Sequence, residues 1–469
     1  MYGNPFSEFL VSDDFLLIGR DGTLREVAQV ITMANPDHRD LHGLAGMGKS
    51  NMLRYISGPE FIEEYKSAFL PPYNKQPYRL FRPYIAGWIE IIHPTIFLYR
   101  EFAKAYRKFR ADLQVEDPQV VLPDLAVEMR DDLGRDEAMS LMETMLHALS
   151  VQDIGVAILL DDFGSDLAYG RFNADEVARL TSWMDYCSFI VATERRLEDV
   201  NPAAKGSPLY KRLTQTPVRE LLPDEARAFL LAVLDRVGAS LPGEDIENLV
   251  ELVGGFSYLL ILAGRELWEL RRRMRLEKSP DGLPEALKPY FEDSLSGELR
   301  RMFEVYYAGR TEVQRDLLRE LGAKGSLSLQ TGGESRRYIQ LMSLASYDLV
   351  KLDNDGRVFP FSPLFGRYLA SLSAESVRPA PAGSAPALTR LQTDLYHLFR
   401  SRPREVLTFE ELGRKFWSWP ADSTWEPPEE DTHKIRMAVS KLRRELEESA
   451  TGERIVNVRS RGYRYEPAA

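Results

Sequence analysis

The chain has a single cysteine, Cys187, among 469 residues, so no internal disulfide framework can form and a reducing compartment, the cytoplasm, is expected. Its surroundings, Tyr186-Cys187-Ser188-Phe189-Ile190, read as those of a buried small hydrophobe. Histidine is also scarce: six residues are scattered along the chain, and with one cysteine they cannot build a structural zinc site. No apolar run is long enough to span a bilayer, so no membrane partner is expected. The opening residues, Met1-Tyr2-Gly3-Asn4-Pro5-Phe6, lack a basic region followed by an apolar stretch, so no signal peptide is expected. Positive charge is not in excess. A formal net charge of −11 argues against general coating of a polyanion while leaving a local basic patch open. There is no period of the length that marks a repeat array.

What is present is an ordinary globular balance, 44% hydrophobic and 28% charged, in a chain long enough for about three domains. Its most informative stretch is Gly43-Leu44-Ala45-Gly46-Met47-Gly48-Lys49-Ser50, with the spacing of a phosphate-cradling P-loop. Gly43, Gly46 and Gly48 allow a tight turn whose N–H groups point inward at a phosphate. Lys49 supplies a charge for the β- and γ-phosphates, and Ser50 a hydroxyl for Mg²⁺. Arg39 to His42 reads as the closing strand, and Asn51 opens the helix whose N-terminus faces the anion. The competing reading is a glycine-rich turn without a ligand.

A second chemical element is Gly155-Val156-Ala157-Ile158-Leu159-Leu160-Asp161-Asp162. The continuous apolar run predicts a strand buried on both faces, and ligands gather at the carboxyl ends of such strands. Asp161 is placed to hold Mg²⁺, and Asp162 to orient or activate an attacking water, with an acidic turn as the alternative. Strands are also predicted over Tyr84 to Ile91 and Phe189 to Thr193. At the end of the latter, Thr193 and Arg195 either feel a γ-phosphate or form a surface turn. Helices are expected from Pro94 to about Arg110 and from Glu137 to Leu149. Residues 111–135 read as an exposed insertion.

Taken in order, Asn4-Pro5-Phe6, Ile18-Gly19-Arg20, the P-loop, Leu159-Leu160-Asp161-Asp162-Phe163 and Thr193-Glu194-Arg195 resemble the STAND class of P-loop NTPases, relatives of the AAA+ ATPases. That resemblance implies Gly19 and Arg20 near the adenine and Thr193 with Arg195 as the sensor of the γ-phosphate. It implies ATP and Mg²⁺ as cofactors, and slow hydrolysis to ADP and phosphate serving as a switch. Gly254-Gly255-Phe256-Ser257 resembles the family's G-x-P motif, with Ser257 where proline is usual. Asp162 stands where many relatives carry glutamate.

Pro223 to Gly238, Ile246 to Val253 and Tyr258 to Met274 read as lid helices. Arg271-Arg272-Arg273 reads as a solvated helix end, with an anionic contact as the alternative. From Ser296 to Leu372, helices over Glu298–Ala308, Glu312–Leu321 and Ser335–Ser346 precede a hairpin turning at Asp355-Gly356. This resembles the winged-helix arm of STAND proteins and reads as a relay, because Tyr338, Ile339, Leu341 and Met342 make its third helix mostly apolar. An Ala/Pro/Ser/Gly-rich tether follows.

The last segment has a capping box at Thr408-Phe409-Glu410-Glu411 and an apolar face of Ile435, Val439, Leu442 and Leu446. It closes on a hairpin around Arg459-Ser460-Arg461-Gly462. These motifs resemble the OmpR/PhoB-type winged helix-turn-helix. The resemblance implies double-stranded DNA as a partner. Contacts would come from Lys434, Arg436, Ser440, Lys441, Arg443 and Arg444 on the helix, and from Arg459, Arg461 and Tyr463 on the wing. The alternative is a protein-docking winged helix.

The expected fold is an α/β P-loop NTPase, a parallel sheet flanked by helices, plus an α-helical lid and two winged-helix domains. The expected division is 1–205 core, 206–295 lid, 296–372 relay, 373–387 linker and 388–469 DNA-binding domain. The expected function is a nucleotide-switched transcription regulator of the STAND type. It would be homo-oligomeric when ATP-bound and open to a protein effector. The rivals are a DNA-associated or defence ATPase in which hydrolysis is the main activity, and an adaptor whose winged helices dock protein.

Overall fold

The computed structural model describes residues 4–467 except 12–15, 33–35, 70–78, 88–92, 124–132, 165–168, 195–196, 198–207, 277–278, 330–334, 378–389, 417–438, 440–441, 444–445, 447–452 and 459–461. The chain forms two compact units, Met1–Ser373 and Ala374–Ala469.

The first unit is built on a parallel sheet of β1 (His38–His42), β2 (Leu80–Phe81), β3 (Tyr84–Ile85), β4 (Gly155–Leu160), β5 (Ser188–Thr193) and β6 (Leu213–Pro217). The strand order is β2–β4–β5–β1–β6, with β3 also paired to β4. β2 and β3 follow one another along the same edge of β4 and are separated at Arg82-Pro83. Proline has no N–H for a ladder, which confines it to such an edge; its carbonyl still accepts from Leu159 N at 2.9 Å.

Alternation along the central strands supplies two cores. Ala157, Leu159, Ile190 and Ala192 join one, while Val156, Ile158, Leu160, Phe189 and Val191 join the other. The second core is filled by the helices Pro94–Glu116 and Arg135–Val151. The stretch expected as an exposed insertion differs from that expectation. The helix runs on to Glu116, and Leu113, Val120, Leu122 and Leu133 are buried in this core. Their apolar side chains are widely spaced among charged neighbours, which hid them from a periodicity reading.

The lid helices are Pro223–Asp235, Gly243–Val253 and Ser257–Arg273. The short helix Pro5–Val11 packs against them, with Phe6 fully buried and Asn4 Nδ2 donating to Arg265 O at 3.1 Å. Arg271 is not the solvated helix end its sequence suggests. It is buried, pairs with the Asp245 carboxylate at 2.6 Å, and donates to the carbonyls of Leu276, Ser279 and Asp281. The other Asp245 oxygen accepts from Leu283 N at 2.7 Å. The pair thus pins the chain leaving the lid.

Three helices, Lys288–Ala308, Glu312–Lys324 and Ser335–Ser346, follow with a small sheet of β7 (Leu327–Ser328), β8 (Val350–Leu352) and β9 (Arg357–Pro360). This winged helix is welded to the lid by aromatic rings: Phe256 of the lid lies 4.3 Å from Phe361, which stacks on Phe365. In its third helix Leu341 is buried, whereas Tyr338, Ile339 and Met342 are exposed.

The second unit carries helices Arg390–Ser401 and Phe409–Phe416 and a sheet of β10 (Val406–Thr408), β11 (Arg454–Val458) and β12 (Gly462–Glu466) in the order β10–β12–β11. The capping box is present: Glu411 N donates to Thr408 Oγ1 at 3.2 Å and Thr408 N to Glu411 Oε2 at 2.9 Å. Val439, Leu442 and Leu446 are helical and buried with Leu395, Phe399, Leu407 and Ile455.

Asp245→Ala would leave the Arg271 guanidinium buried without its counter-charge. The expected cost is about 3–5 kcal/mol, read as a lower urea midpoint for the first unit. Asp245→Asn is expected to cost less, and equal midpoints for the wild type and the alanine variant would refute the structural role.

Candidate functional site

The carboxyl ends of β1, β4 and β5 converge on a cavity of about 470 Å³. β1 delivers the glycine-rich turn, whose strained positions explain its composition. Gly46 and Gly48 have φ of 82° and 89°, a left-handed backbone that favours glycine. A Cβ on Gly46 would also lie 2.8 Å from Tyr258. Gly43 sits directly against Val218 O. The helix Lys49–Ser57 begins at this turn with no side-chain cap, so its first N–H groups face the cavity.

Lys49 is buried and its Nζ donates to Gly43 O at 2.6 Å and Leu44 O at 2.8 Å. Burial holds its pKa below the usual lysine value, against the pull of Glu194, Asp161, Asp162 and Asp40. Ser50 Oγ donates to Asp161 Oδ1 at 3.0 Å, and the other Asp161 oxygen accepts from Tyr84 OH at 2.7 Å. Asp162 N also donates to Asp161 Oδ1. Asp162 has φ of 51°, an uncommon left-handed conformation that aspartate tolerates, and its side chain is exposed at the cavity. Desolvation by the surrounding chain and the carboxylates of Glu194 and Asp161 push its pKa up to about 6.

Of the expected nucleotide-site residues, the structure brings Arg20, Gly46, Gly48, Lys49, Ser50, Asn51, Asp161 and Asp162 around this one cavity. Gly19, with φ of 72°, makes the turn that precedes Arg20. The Arg20 guanidinium is buried and donates to Arg219 O at 2.8 Å and Met47 O at 3.1 Å, so it ties the turn to the lid entry. Thr193 is turned away from the cavity. Its hydroxyl donates to the buried carboxylate of Asp40 on β1, which also accepts from Gln215 Nε2 at 2.7 Å. Glu194 lines the cavity in its place. Arg195 lies outside the described residues.

The residues that sequence reasoning passed over are Asp40, Tyr84, Glu194, Tyr258 and Tyr306. Tyr306 belongs to the first winged helix and donates from its hydroxyl to Ala45 O of the turn at 2.8 Å. Ser257 Oγ and Tyr258 N both meet Gly46 O, at 3.1 and 3.2 Å. Of the residues passed over, Glu194 carried a hint, from its place between Thr193 and Arg195.

In the second unit Arg443 is partly exposed, next to buried Leu442. Tyr463 is 5% exposed and belongs to the core of that unit. Lys434, Arg436, Ser440, Lys441, Arg444, Arg459 and Arg461 lie outside the described residues.

Residues 383–465 match the family described as transcriptional regulatory protein, C terminal. This is the OmpR/PhoB-type winged helix read from the sequence. Solved structures similar to the chain include the Aeropyrum pernix ORC2 protein in ADPNP–ADP complexes, at 13% identity and a TM-score of 0.48, covering 80% of this chain and 98% of that one. The Walker-type ATPase of Pyrococcus abyssi matches at 17% identity and a TM-score of 0.48, covering 75% and 96%. The Aeropyrum pernix ORC1 protein in complex with DNA matches at 15% identity and a TM-score of 0.43, covering 99% and 93%. No curated protein matches the chain in sequence. Among the described residues, no helix is long and apolar enough to cross a membrane.

Burial pushes the Asp40 carboxyl up to about 6, against its hydrogen bonds from Thr193 and Gln215 and the charge of Lys49. The folded chain therefore binds that proton more tightly than the unfolded chain. This contribution to stability is complete below the ordinary aspartate value and is lost as pH rises through about 6. Asp40→Asn should gain about 1 kcal/mol on the wild type between about pH 5 and about pH 7.5, read from urea midpoints. A pH-independent difference would show that Asp40 is not held in this way.

Proposed function

We propose that the protein is an ATP-binding, nucleotide-switched transcription regulator of the STAND type, which binds double-stranded DNA through its C-terminal winged helix. The observation that carries this reading is the Tyr306 hydrogen bond. A winged-helix side chain holds a carbonyl of the phosphate-binding turn, in a chain that also carries a transcription-regulator C-terminal domain.

The triphosphate would lie against the N-terminus of the helix Lys49–Ser57, with Lys49 exchanging its bonds to Gly43 and Leu44 for phosphate oxygens. Ser50 and Asp161 offer a hydroxyl and a carboxylate side by side, the hard oxygen donors Mg²⁺ takes alongside substrate phosphates. That ion supplies charge neutralisation for the phosphates when bound. Asp162 is the group placed to orient water for slow hydrolysis.

Rearrangement of the turn would bias the lid through Gly46 O and the winged helix through Ala45 O. We take the chain through β6 as core, the helices from Pro223 to Arg273 as lid, Lys288 to Val377 as relay and 388–469 as DNA-binding domain with a tether before it; the expected boundaries at 205 and 295 would part β6 from its sheet and divide the helix Lys288–Ala308. Self-association in the ATP state would then set how many tethered domains engage adjacent half-sites, raising avidity through effective concentration. An effector would act on the same equilibrium. Arg443 and its basic neighbours would meet the major groove, with Arg459 and Arg461 of the wing in the minor groove and Tyr463 supporting that wing from the core.

The test is fluorescence anisotropy of labelled genomic DNA fragments with ATP, ADP or neither, at two salt concentrations. Binding should weaken with salt and be tighter with ATP. Lys49→Ala should abolish the nucleotide dependence. DNA binding that is equal in every nucleotide state would instead favour an ATPase in which hydrolysis is the main activity, and no binding at all a protein-docking adaptor. Tyr306→Phe keeps the aromatic packing but removes the bond to Ala45. It should retain nucleotide affinity within about threefold while the ATP-dependent gain in DNA affinity falls by about 3–10-fold, the range expected for one neutral hydrogen bond.

A further inference from the structure

Glu194 is the first residue after β5 and enters the cavity between the turn that follows β1 and the carboxylates that follow β4. Its side chain is half-buried. The hydroxyl one residue earlier is turned to Asp40, so the end of β5 presents a carboxylate to the cavity rather than a hydroxyl. Among the described residues lining the cavity, the cations are Arg20 and Lys49 and the anions Asp161, Asp162 and Glu194. Arg20 is bonded to the carbonyls of Arg219 and Met47. The Glu194 charge acts on the Lys49 ammonium, together with those of Asp161, Asp162 and Asp40, and on Asp162 and the Tyr306 hydroxyl.

We infer that Glu194 sets the preference between nucleoside diphosphate and triphosphate at this site, its negative charge opposing the γ-phosphate beside Lys49. The inference rests on the nucleotide reading proposed above. A β-phosphate is engaged chiefly by the turn and the helix N-terminus. The γ-phosphate would lie further toward β4 and β5, where three carboxylates gather and Mg²⁺ held by Ser50 and Asp161 would offset only part of their charge. Repulsion at this point would penalise the triphosphate selectively, so Glu194 would hold the switch in its diphosphate state.

The experiment titrates ATP and ADP separately, with Mg²⁺, into the full-length wild type, E194Q and E194D by calorimetry. E194Q preserves shape and hydrogen bonding while removing the charge. It should raise affinity for ATP relative to ADP by about tenfold, or about 1.4 kcal/mol. The gain should shrink at high salt, as a charge effect must. E194D, which keeps the charge, should stay near the wild-type ratio. An unchanged ratio in E194Q overturns the inference. A ratio shifted toward ADP also overturns it, making Glu194 a cation ligand instead. If the wild-type chain binds neither nucleotide, the nucleotide reading itself fails and the inference falls with it.

Discussion

Three successive carbonyls of the glycine-rich turn are each held by a different part of the first unit. Ala45 O accepts from Tyr306 of the winged helix, Gly46 O from Ser257 and Tyr258 of the lid, and Met47 O from Arg20 of the N-terminal turn. The N–H groups of the same turn and helix start face the cavity. One short loop therefore has a ligand-facing side of donors and a protein-facing side of acceptors. Its backbone is rigidly specified by glycines that alone tolerate its left-handed positions. A change on the donor side cannot rotate these peptides without disturbing the acceptor side. That property, rather than the mere presence of a P-loop, is what the proposed switch would use.

The same constraint explains where the chain places charge beneath the site. Asp40 and Thr193 bridge β1 and β5 directly below the turn, and Gln215 extends the network to β6. A buried carboxylate in the middle of a sheet is costly unless it is hydrogen-bonded. Here its two partners come from the two strands that flank β1, so the network fixes the register of the strand that carries the turn. The cost in solvation is accepted in return for position. Asp245 and Arg271 do the same at the far end of the lid.

Much of this was legible in residue order. The P-loop spacing, the doubly buried β4, the Asp-Gly hairpin and the Thr408–Glu411 capping box each rest on local chemistry that a sequence displays directly. Other elements were not legible, for identifiable reasons. β6, Leu213-Thr214-Gln215-Thr216-Pro217, is a polar edge strand with no apolar run, and only pairing to β1 makes it a strand. Residues 111–123 bury isolated leucines and a valine that no period reveals. Arg271 looks like any basic helix end until its partner appears 26 residues away. The place of Thr193 at the end of β5 leaves a phosphate contact and a surface turn both open in the sequence. The alternation of a strand instead sends its hydroxyl sideways to Asp40 and leaves Glu194 at the cavity.

Tyr306 shows why such long-range partners matter most for function. Nothing in Val305-Tyr306-Tyr307 distinguishes it from a packing residue, and its ring does pack, against Phe256 and Phe361. Its place in the proposed switch rests on one atom, a hydroxyl carried 261 residues along the chain to the carbonyl of Ala45. In a buried setting that bond is sensitive to small displacements, because either partner left unsatisfied costs more than the bond contributes when made. In the proposed switch that bond would let the loop that meets phosphate bear on a winged helix.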